Sequence, residues 1–356
     1  MKKGIILISF AMMLFSCGSR ENKSSEGRMI TDASGRAVLI PKKISSIIAL
    51  RSGALRLLAY LDATKKVIAV EENEKRRTVP YLFANPQLKE LPVVGSGNIA
   101  EPELLAAYDP DIILVTYLTA GEADELQVKT GVPVVVLDYA NFNERRADLY
   151  KTLDILGTLI NKEERADSLI TFIRNTILDL KTRSNKSEIN EKVYIGGIAY
   201  RGSHGITSTE PHYAPFSLLG LKNVAGGLGE VTSSPRAWLE NAFIDVEQLI
   251  EWNPDHIFLD VSGRTLWEQD LQNEALRNSL KALQKKNFYM VLPHNWYTTN
   301  YENILCNAYY VGKIMYPENF SDIEIKDKCN EIYRVFLGKP IYDSMELKFK
   351  MYKKPW

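Results

Sequence analysis

The stretch Glu103-Leu104-Leu105-Ala106-Ala107-Tyr108-Asp109-Pro110-Asp111-Ile112-Ile113 holds a helix end, a turn and the start of a strand in one short run. Pro110 stops the helix, and Asp111 is suited to accept hydrogen bonds from turn amides. Ile112 to Val115 is then apolar at every position, the pattern of a strand covered on both faces. Displaced by 144 residues the run returns as Glu247-Gln248-Leu249-Ile250-Glu251-Trp252-Asn253-Pro254-Asp255-His256-Ile257. Glu, Leu, Pro, Asp and Ile recur at that one offset. The echo predicts two related halves, each with a helix, a Pro-Asp turn and a buried strand at the same place.

Working outward, strand and helix patterns alternate on both sides of each copy. In the first half Ile47–Leu50, Val67–Val70, Ile112–Val115 and Val134–Leu137 read as short, β-branched strands, with helices at Ala54–Leu61 and Glu122–Thr130. In the second half Val193–Ile198, Ile257–Leu259 and Tyr289–Leu292 read as strands, with helices at Pro215–Leu219, Val246–Trp252 and Leu271–Leu283. Unalternated apolar strands separated by helices imply a parallel sheet in each half. Between them Lys162–Arg183 has one long helical period. Glu163, Glu164 and Asp167 lie near its start, Lys181 and Arg183 at its end, and Ala166, Leu169, Ile170, Ile173, Ile177, Leu178 and Leu180 form its apolar stripe. The expected fold is α/β, two doubly wound lobes joined by a single long helix. The N-terminal lobe is placed at 28–160, the connecting helix at 161–184, and the C-terminal lobe with its closing helices at 185–356. A hairpin is expected over Met29–Pro41, and helices at Asn303–Met315 and Lys326–Leu337 end the chain. With 356 residues there is room for two lobes, each with its own core.

The beginning of the chain points outside the cytoplasm. Lys2 and Lys3, an apolar run from Ile5 to Phe15, and Leu14-Phe15-Ser16-Cys17 read as an export signal of the lipoprotein kind. Residues 1–16 would be removed and the Cys17 thiol acylated, leaving 17–27 as a polar, Ser-rich tether. After Phe15 no apolar run reaches the roughly 18 residues of a membrane helix, so contact with the membrane is expected through the lipid anchor only, in the periplasm or cell envelope. The composition, 45% apolar and 25% charged, is globular. There is no basic block, so nucleic acid is not an expected partner. Cys306 and Cys329 have no metal spacing and are expected as two separately buried thiols. No G-x-S-x-G elbow is present, and no enzyme activity is expected.

Several of these runs follow one order: Thr31-Asp32-Ala33-Ser34-Gly35-Arg36-Ala37-Val38-Leu39-Ile40-Pro41, Ile44–Leu50, Val67-Ile68-Ala69-Val70, Val94-Gly95-Ser96 and Glu103–Val115. In that order the chain resembles, over roughly residues 28 to 320, the class III substrate-binding proteins of ABC importers. The resemblance implies a lipid-anchored, monomeric protein that captures an iron–siderophore complex, haem or cobalamin between its lobes. It also implies partners, an ABC permease and its ATPase, met through one Glu on each lobe. Glu103 and Glu247 occupy those positions, and a Glu in the first turn of a helix also steadies the helix.

In open α/β sheets ligands bind beyond the carboxyl ends of the strands. That rule selects Arg51, Glu71, Ser96, Tyr117 and Tyr139 in the first lobe. In the second it selects Tyr200, Arg201, His204, Trp238, Asp260, His294, Trp296 and Tyr297. Of these, Arg51, Tyr117, Tyr200, Arg201, His204, Trp238 and Tyr297 are the expected ligand contacts. Aromatic walls suit a flat chelate, and Arg suits its anionic groups. His204 reads either as an axial contact to a bound metal complex or as a hydrogen-bonded structural imidazole. A cleft for bare metal ions would need His204, His212 and His294 together, with Glu210 nearby, since His256 lies in an apolar strand. The expected cargo is an iron chelate, siderophore or haem, with no intrinsic cofactor. Cobalamin, a bare ion, or a chelate carrier that never docks on a permease are the alternatives.

Overall fold

The structure is a computed structural model and describes residues 27–354 apart from Asn98, 187–188 and 229–240. The expected signal, Cys17 and Trp238 lie outside the described residues.

Each half contains a four-stranded parallel sheet. The first has the spatial order Val67–Ala69, Ile47–Leu50, Ile112–Thr116, Val134–Leu137, and the second Lys222–Asn223, Lys192–Gly196, His256–Asp260, Phe288–Val291. Within each half the order is second, first, third, fourth, so both sheets have their switch point between first and third strands. The Pro-Asp echo has one structural meaning in both. Asp111 N donates to Ser46 O, and its Oδ2 accepts from the Ser45 and Ser46 amides at 2.7 and 2.9 Å. Asp255 N donates to Lys192 O, and its Oδ2 accepts from the Lys192 amide at 2.8 Å. Each Asp therefore latches the start of the third strand to the start of the first.

Alternation along the strands shows why both faces must be apolar. Ile48, Leu50, Ile113 and Val115 pack into a cluster on the outer side of the first sheet, and Tyr194, Ile257, Leu259 and Met290 into another on the second. Ile47, Ala49, Ile112, Leu114, Val193, Ile195 and Phe258 instead face one continuous core. The expectation of a separate core for each lobe is thus met only on the outer faces. Helices Tyr301–Met315 and Ile325–Leu337 cause the merger, because the second packs on Ala54–Tyr60 and Pro80–Ala84 of the first half. The connecting helix, Glu163–Ser184, packs against Arg146–Ile160, Ala214–Leu219 and Tyr301–Met315 through Leu169, Ile173, Ile177 and Leu180. Leu178 lies off that stripe and is exposed.

Two local expectations are corrected. The pattern Leu271–Leu283 is not one helix but two, Glu274–Ser279 and Lys281–Gln284, with Leu280 extended between them. Asn253 of the second Pro-Asp turn accepts from the Lys281 amide at 3.0 Å and so starts a new helix there. A helix at Arg264–Asp270 precedes them, anchored by buried Trp267, whose indole donates to Asp260 O at 3.0 Å. Cys306 and Cys329 are buried, free thiols.

Candidate functional site

The first sheet's switch point opens onto a cleft of about 800 Å³, closed on the other side by the loop after the second sheet's first strand and by the chain after its fourth. It is lined by Arg51, Arg77, Tyr117, Tyr139, Tyr200, Arg201 and the 295–299 segment. Arg51 directly follows the first strand, and Tyr117 directly follows the third. On the other lobe the chain leaves its first strand through a loop that carries Tyr200 and Arg201. That loop can lie close to the third strand because Gly263 has no side chain: a Cβ there would sit 2.2 Å from His204 O. Gly53 has the same role at the floor, where a Cβ would sit 2.2 Å from the Tyr139 ring and where the φ of 99° also favours glycine.

The lining is aromatic and cationic. The Arg51 and Arg201 side chains are exposed, and the Arg201 guanidinium lies 5.4 Å from the Tyr200 ring centroid. Arg77 lies over the Tyr297 ring and pairs with Glu74 at 2.6 Å. Five lining residues other than glycine adopt left-handed backbone: Arg51, Tyr117, Arg201, Tyr297 and Thr298, with φ from 53° to 64°. Each costs about 1–2 kcal/mol relative to ordinary backbone. Their concentration here marks the cleft as a place where geometry is held against local preference.

Beneath the lining lie buried ionisable groups. Glu71 accepts from the Tyr297 hydroxyl at 3.0 Å. Burial pushes its carboxyl up to about 7, against the opposing pull of the Arg51 amide and the Arg77 guanidinium. His294 is buried with Nε2 2.8 Å from Glu210 Oε2 and Nδ1 3.8 Å from Asp260 Oδ2. Burial disfavours its charged form, but the Glu210 and Asp260 carboxylates prevail and raise it to about 10.

Of the residues expected at the site, Arg51, Tyr117, Tyr200, Arg201 and Tyr297 line the cleft. His204 is not among the lining side chains. Its Nε2 is 2.7 Å from Tyr200 O, and its ring meets Phe243 edge-on. His212 is exposed, its carbonyl accepting from Asn143 Nδ2 at 2.6 Å. The imidazoles of His204, His212 and His294 therefore occupy three different settings. Among the described residues no group of three or more His, Cys, Asp or Glu side chains is arranged to hold a metal ion. Glu103 and Glu247 are exposed in the first turns of Pro102–Tyr108 and Val246–Trp252. Arg77 was not selected from the sequence. Its signal lies one turn beyond the carboxyl-end rule, since the short helix Glu72–Lys75 carries the chain from Glu71 back to the cleft.

A cleft between the strand ends of two parallel-sheet lobes, with a helix joining the lobes, is the architecture of a solute-capturing protein. The family profile described as periplasmic binding protein matches residues 47–293, and the chain belongs to that family. The molybdate-binding protein MolA of Haemophilus influenzae is 23% identical over 332 residues, covering 87% of this chain and 90% of its own. Its molybdate-bound structure superimposes with a TM-score of 0.69 at 21% identity, over 88% of this chain and 98% of that one. The structure of heme binding protein HmuT gives a TM-score of 0.56 at 16% identity, over 82% of this chain and 91% of that one. Among the described residues no helix is long and apolar enough to cross a membrane.

Proposed function

We propose that the protein captures an anionic metal chelate, in the first place a ferric siderophore or haem, and delivers it to the permease and ATPase of an ABC importer. The carrying observation is the cleft itself: guanidinium groups of Arg51, Arg77 and Arg201 around about 800 Å³ of space with Tyr117, Tyr139, Tyr200, Trp296 and Tyr297 as walls. Guanidinium forks suit anionic oxygens, and rings suit flat organic surfaces. The same cations oppose capture of a bare divalent ion. In this reading residues 28–160 and 185–356 act as the two jaws, 161–184 as the stiff connector, Cys17 as the lipid attachment, and Glu103 and Glu247 as the permease contacts.

A second reading, molybdate, is favoured by the likeness to MolA along most of both chains. The cleft's volume of about 800 Å³ and its aromatic walls favour the larger cargo. Calorimetric titration of the purified protein with a ferric catecholate, a ferric hydroxamate, haemin, cobalamin and sodium molybdate separates these readings. Micromolar or tighter binding of an anionic ferric chelate is the expected result. Binding of molybdate alone would replace the first reading by the second, and binding of cobalamin alone, or of none of them, would remove both.

A further inference from the structure

Arg56 is the least expected residue of the molecule. It stands in the apolar helix Ala54–Tyr60 and is fully buried, with a relative exposure of 0%. A buried guanidinium is costly unless its donors are satisfied. Here the two Nη groups are spent far away in sequence, while Nε, also buried, has no hydrogen-bond partner among the described residues. Nη1 donates to Thr299 O at 2.9 Å and to the Tyr139 hydroxyl at 2.7 Å, and Nη2 to Tyr297 O at 3.0 Å with a longer contact to Trp296 O at 3.4 Å. The Tyr139 hydroxyl itself donates to Thr299 O at 2.6 Å.

The segment it grips needs holding. Tyr297 and Thr298 are consecutive left-handed residues, with φ of 57° and 61°. Such backbone is disfavoured for any L-residue and most of all for a β-branched one. The turn points its carbonyls inward, where Asn300 Nδ2 takes those of His294, Trp296 and Thr298 at 3.1, 3.1 and 3.2 Å. Arg56 takes those of Tyr297 and Thr299. Nearly every inward carbonyl of the turn is thus claimed by two fully buried side chains, one local and one from the other half of the molecule.

We propose that Arg56 is the positioning residue of the cleft: it holds the 296–299 turn, which belongs to the second half of the chain, as a fixed wall on the first lobe. The wall moves with the first lobe, and Trp296, Tyr297 and Thr298 meet the cargo already in place. Tyr117 extends the same seam, its hydroxyl lying 2.8 Å from Thr298 Oγ1. That this wall faces a cargo rests on the function proposed above; that Arg56 holds it does not.

The test is amide hydrogen exchange of the purified full chain, read by mass spectrometry, for wild type, Arg56→Met, Arg56→Lys and Leu57→Ala. Leu57, buried on the same helix, is the control for lost stability alone. Arg56→Met should speed exchange of the Asn300 amide, which closes the turn by donating to His294 O at 2.7 Å, by at least about tenfold, with the strands of both sheets unchanged. Arg56→Lys should recover part of the protection, because an ammonium reaches one or two of the carbonyls but cannot fork across them. Leu57→Ala should leave the turn at wild-type protection well below its melting temperature. Affinity for whichever chelate the wild type binds should fall by at least about tenfold in Arg56→Met. If Arg56→Met fails to fold, Arg56→Lys and Tyr139→Phe carry the exchange measurement, since each removes part of the same set of bonds. Unchanged protection at the Asn300 amide, equal loosening by Leu57→Ala, or a loosened turn with wild-type affinity would each overturn the proposal. A wild type that binds none of the chelates would remove only the functional reading, because the exchange measurement uses no cargo.

Discussion

The Arg51 guanidinium donates to the Tyr117 carbonyl at 3.2 Å, joining the two residues that leave the first sheet at its switch point. Both are left-handed, with φ of 64° and 57°, so the strand ends turn sharply and present one side chain each to the cleft. Arg51 keeps its head exposed despite that bond. Replacing Arg51 or Arg201 by Ala should weaken binding of an anionic ferric chelate by about 10- to 100-fold each, the range of a lost charge-assisted hydrogen bond. Stability should change by less than about 0.5 kcal/mol, as is usual for exposed sites. Calorimetry on the single variants checks this, and an unaltered dissociation constant in both would exclude these guanidiniums from the site.

Charge on the two helix starts is expected to act elsewhere. Glu103→Arg with Glu247→Arg should reduce cargo uptake by about tenfold or more in cells carrying the importer, while cargo affinity of the purified double variant stays within about twofold of wild type. Equal losses of uptake and affinity would place these carboxylates in capture instead of docking.

Stability should fall as pH rises, in two windows. Glu71 is raised from 4.5 to about 7, so the folded chain holds a proton that the unfolded chain has lost across that interval. His294 is raised from 6.5 to about 10. Its contribution is fully present below pH 6.5, where both states are charged, and is lost as pH climbs to about 10. Each group adds a slope of about 1.4 kcal/mol per pH unit inside its window. Urea unfolding across about pH 5 to 9 should show Glu71→Gln flattening the lower part of the curve and His294→Gln the upper. A wild-type stability that is level over this range would contradict both assignments.

The paired latches make a prediction about the two halves. Asp111→Ala strips two backbone amides of their acceptor, and Asp255→Ala strips the Lys192 amide and the Lys281 ammonium, 2.7 Å from Asp255 Oδ1. Each should cost about 1–3 kcal/mol in chemical unfolding. Because the latches sit in different sheets, the double variant should show a nearly additive loss. A strongly non-additive result would mean that the shared central core couples the two sheets.

Much of this was readable from local chemistry. Pro110 and Pro254 set the same turn because proline's missing donor acts within a few residues. The expectation that Asp111 and Asp255 serve the turn's own amides missed the bonds they make to the start of the first strand, 63 to 66 residues back. Seven of the eight strands were visible as apolar runs because a two-sided sheet favours apolar side chains on both faces; the eighth, Lys222–Asn223, is a short polar edge strand that no apolar run announces. Arg51, Tyr117, Tyr200, Arg201 and Tyr297 could be chosen because ligand sites follow strand ends. The single helix read over Leu271–Leu283 failed for the opposite reason. Asn253 reaches Leu280–Lys281 from another element, and no local spacing records that approach.

The chain by itself determined two parallel sheets, a long helix between them and a cluster of Arg and Tyr at the strand ends. Each of those follows from periodicity and from residues that act on their immediate neighbours. Only the folded chain decided how the parts meet: that His204 turns to the Tyr200 carbonyl, that Arg77 comes back over Tyr297, and that Arg56, set in an otherwise apolar helix, grips a turn some 240 residues onward. Those contacts depend on where a guanidinium or imidazole finds an acceptor once water is excluded. That is a property of the packed interior, where distant segments share one low-dielectric space.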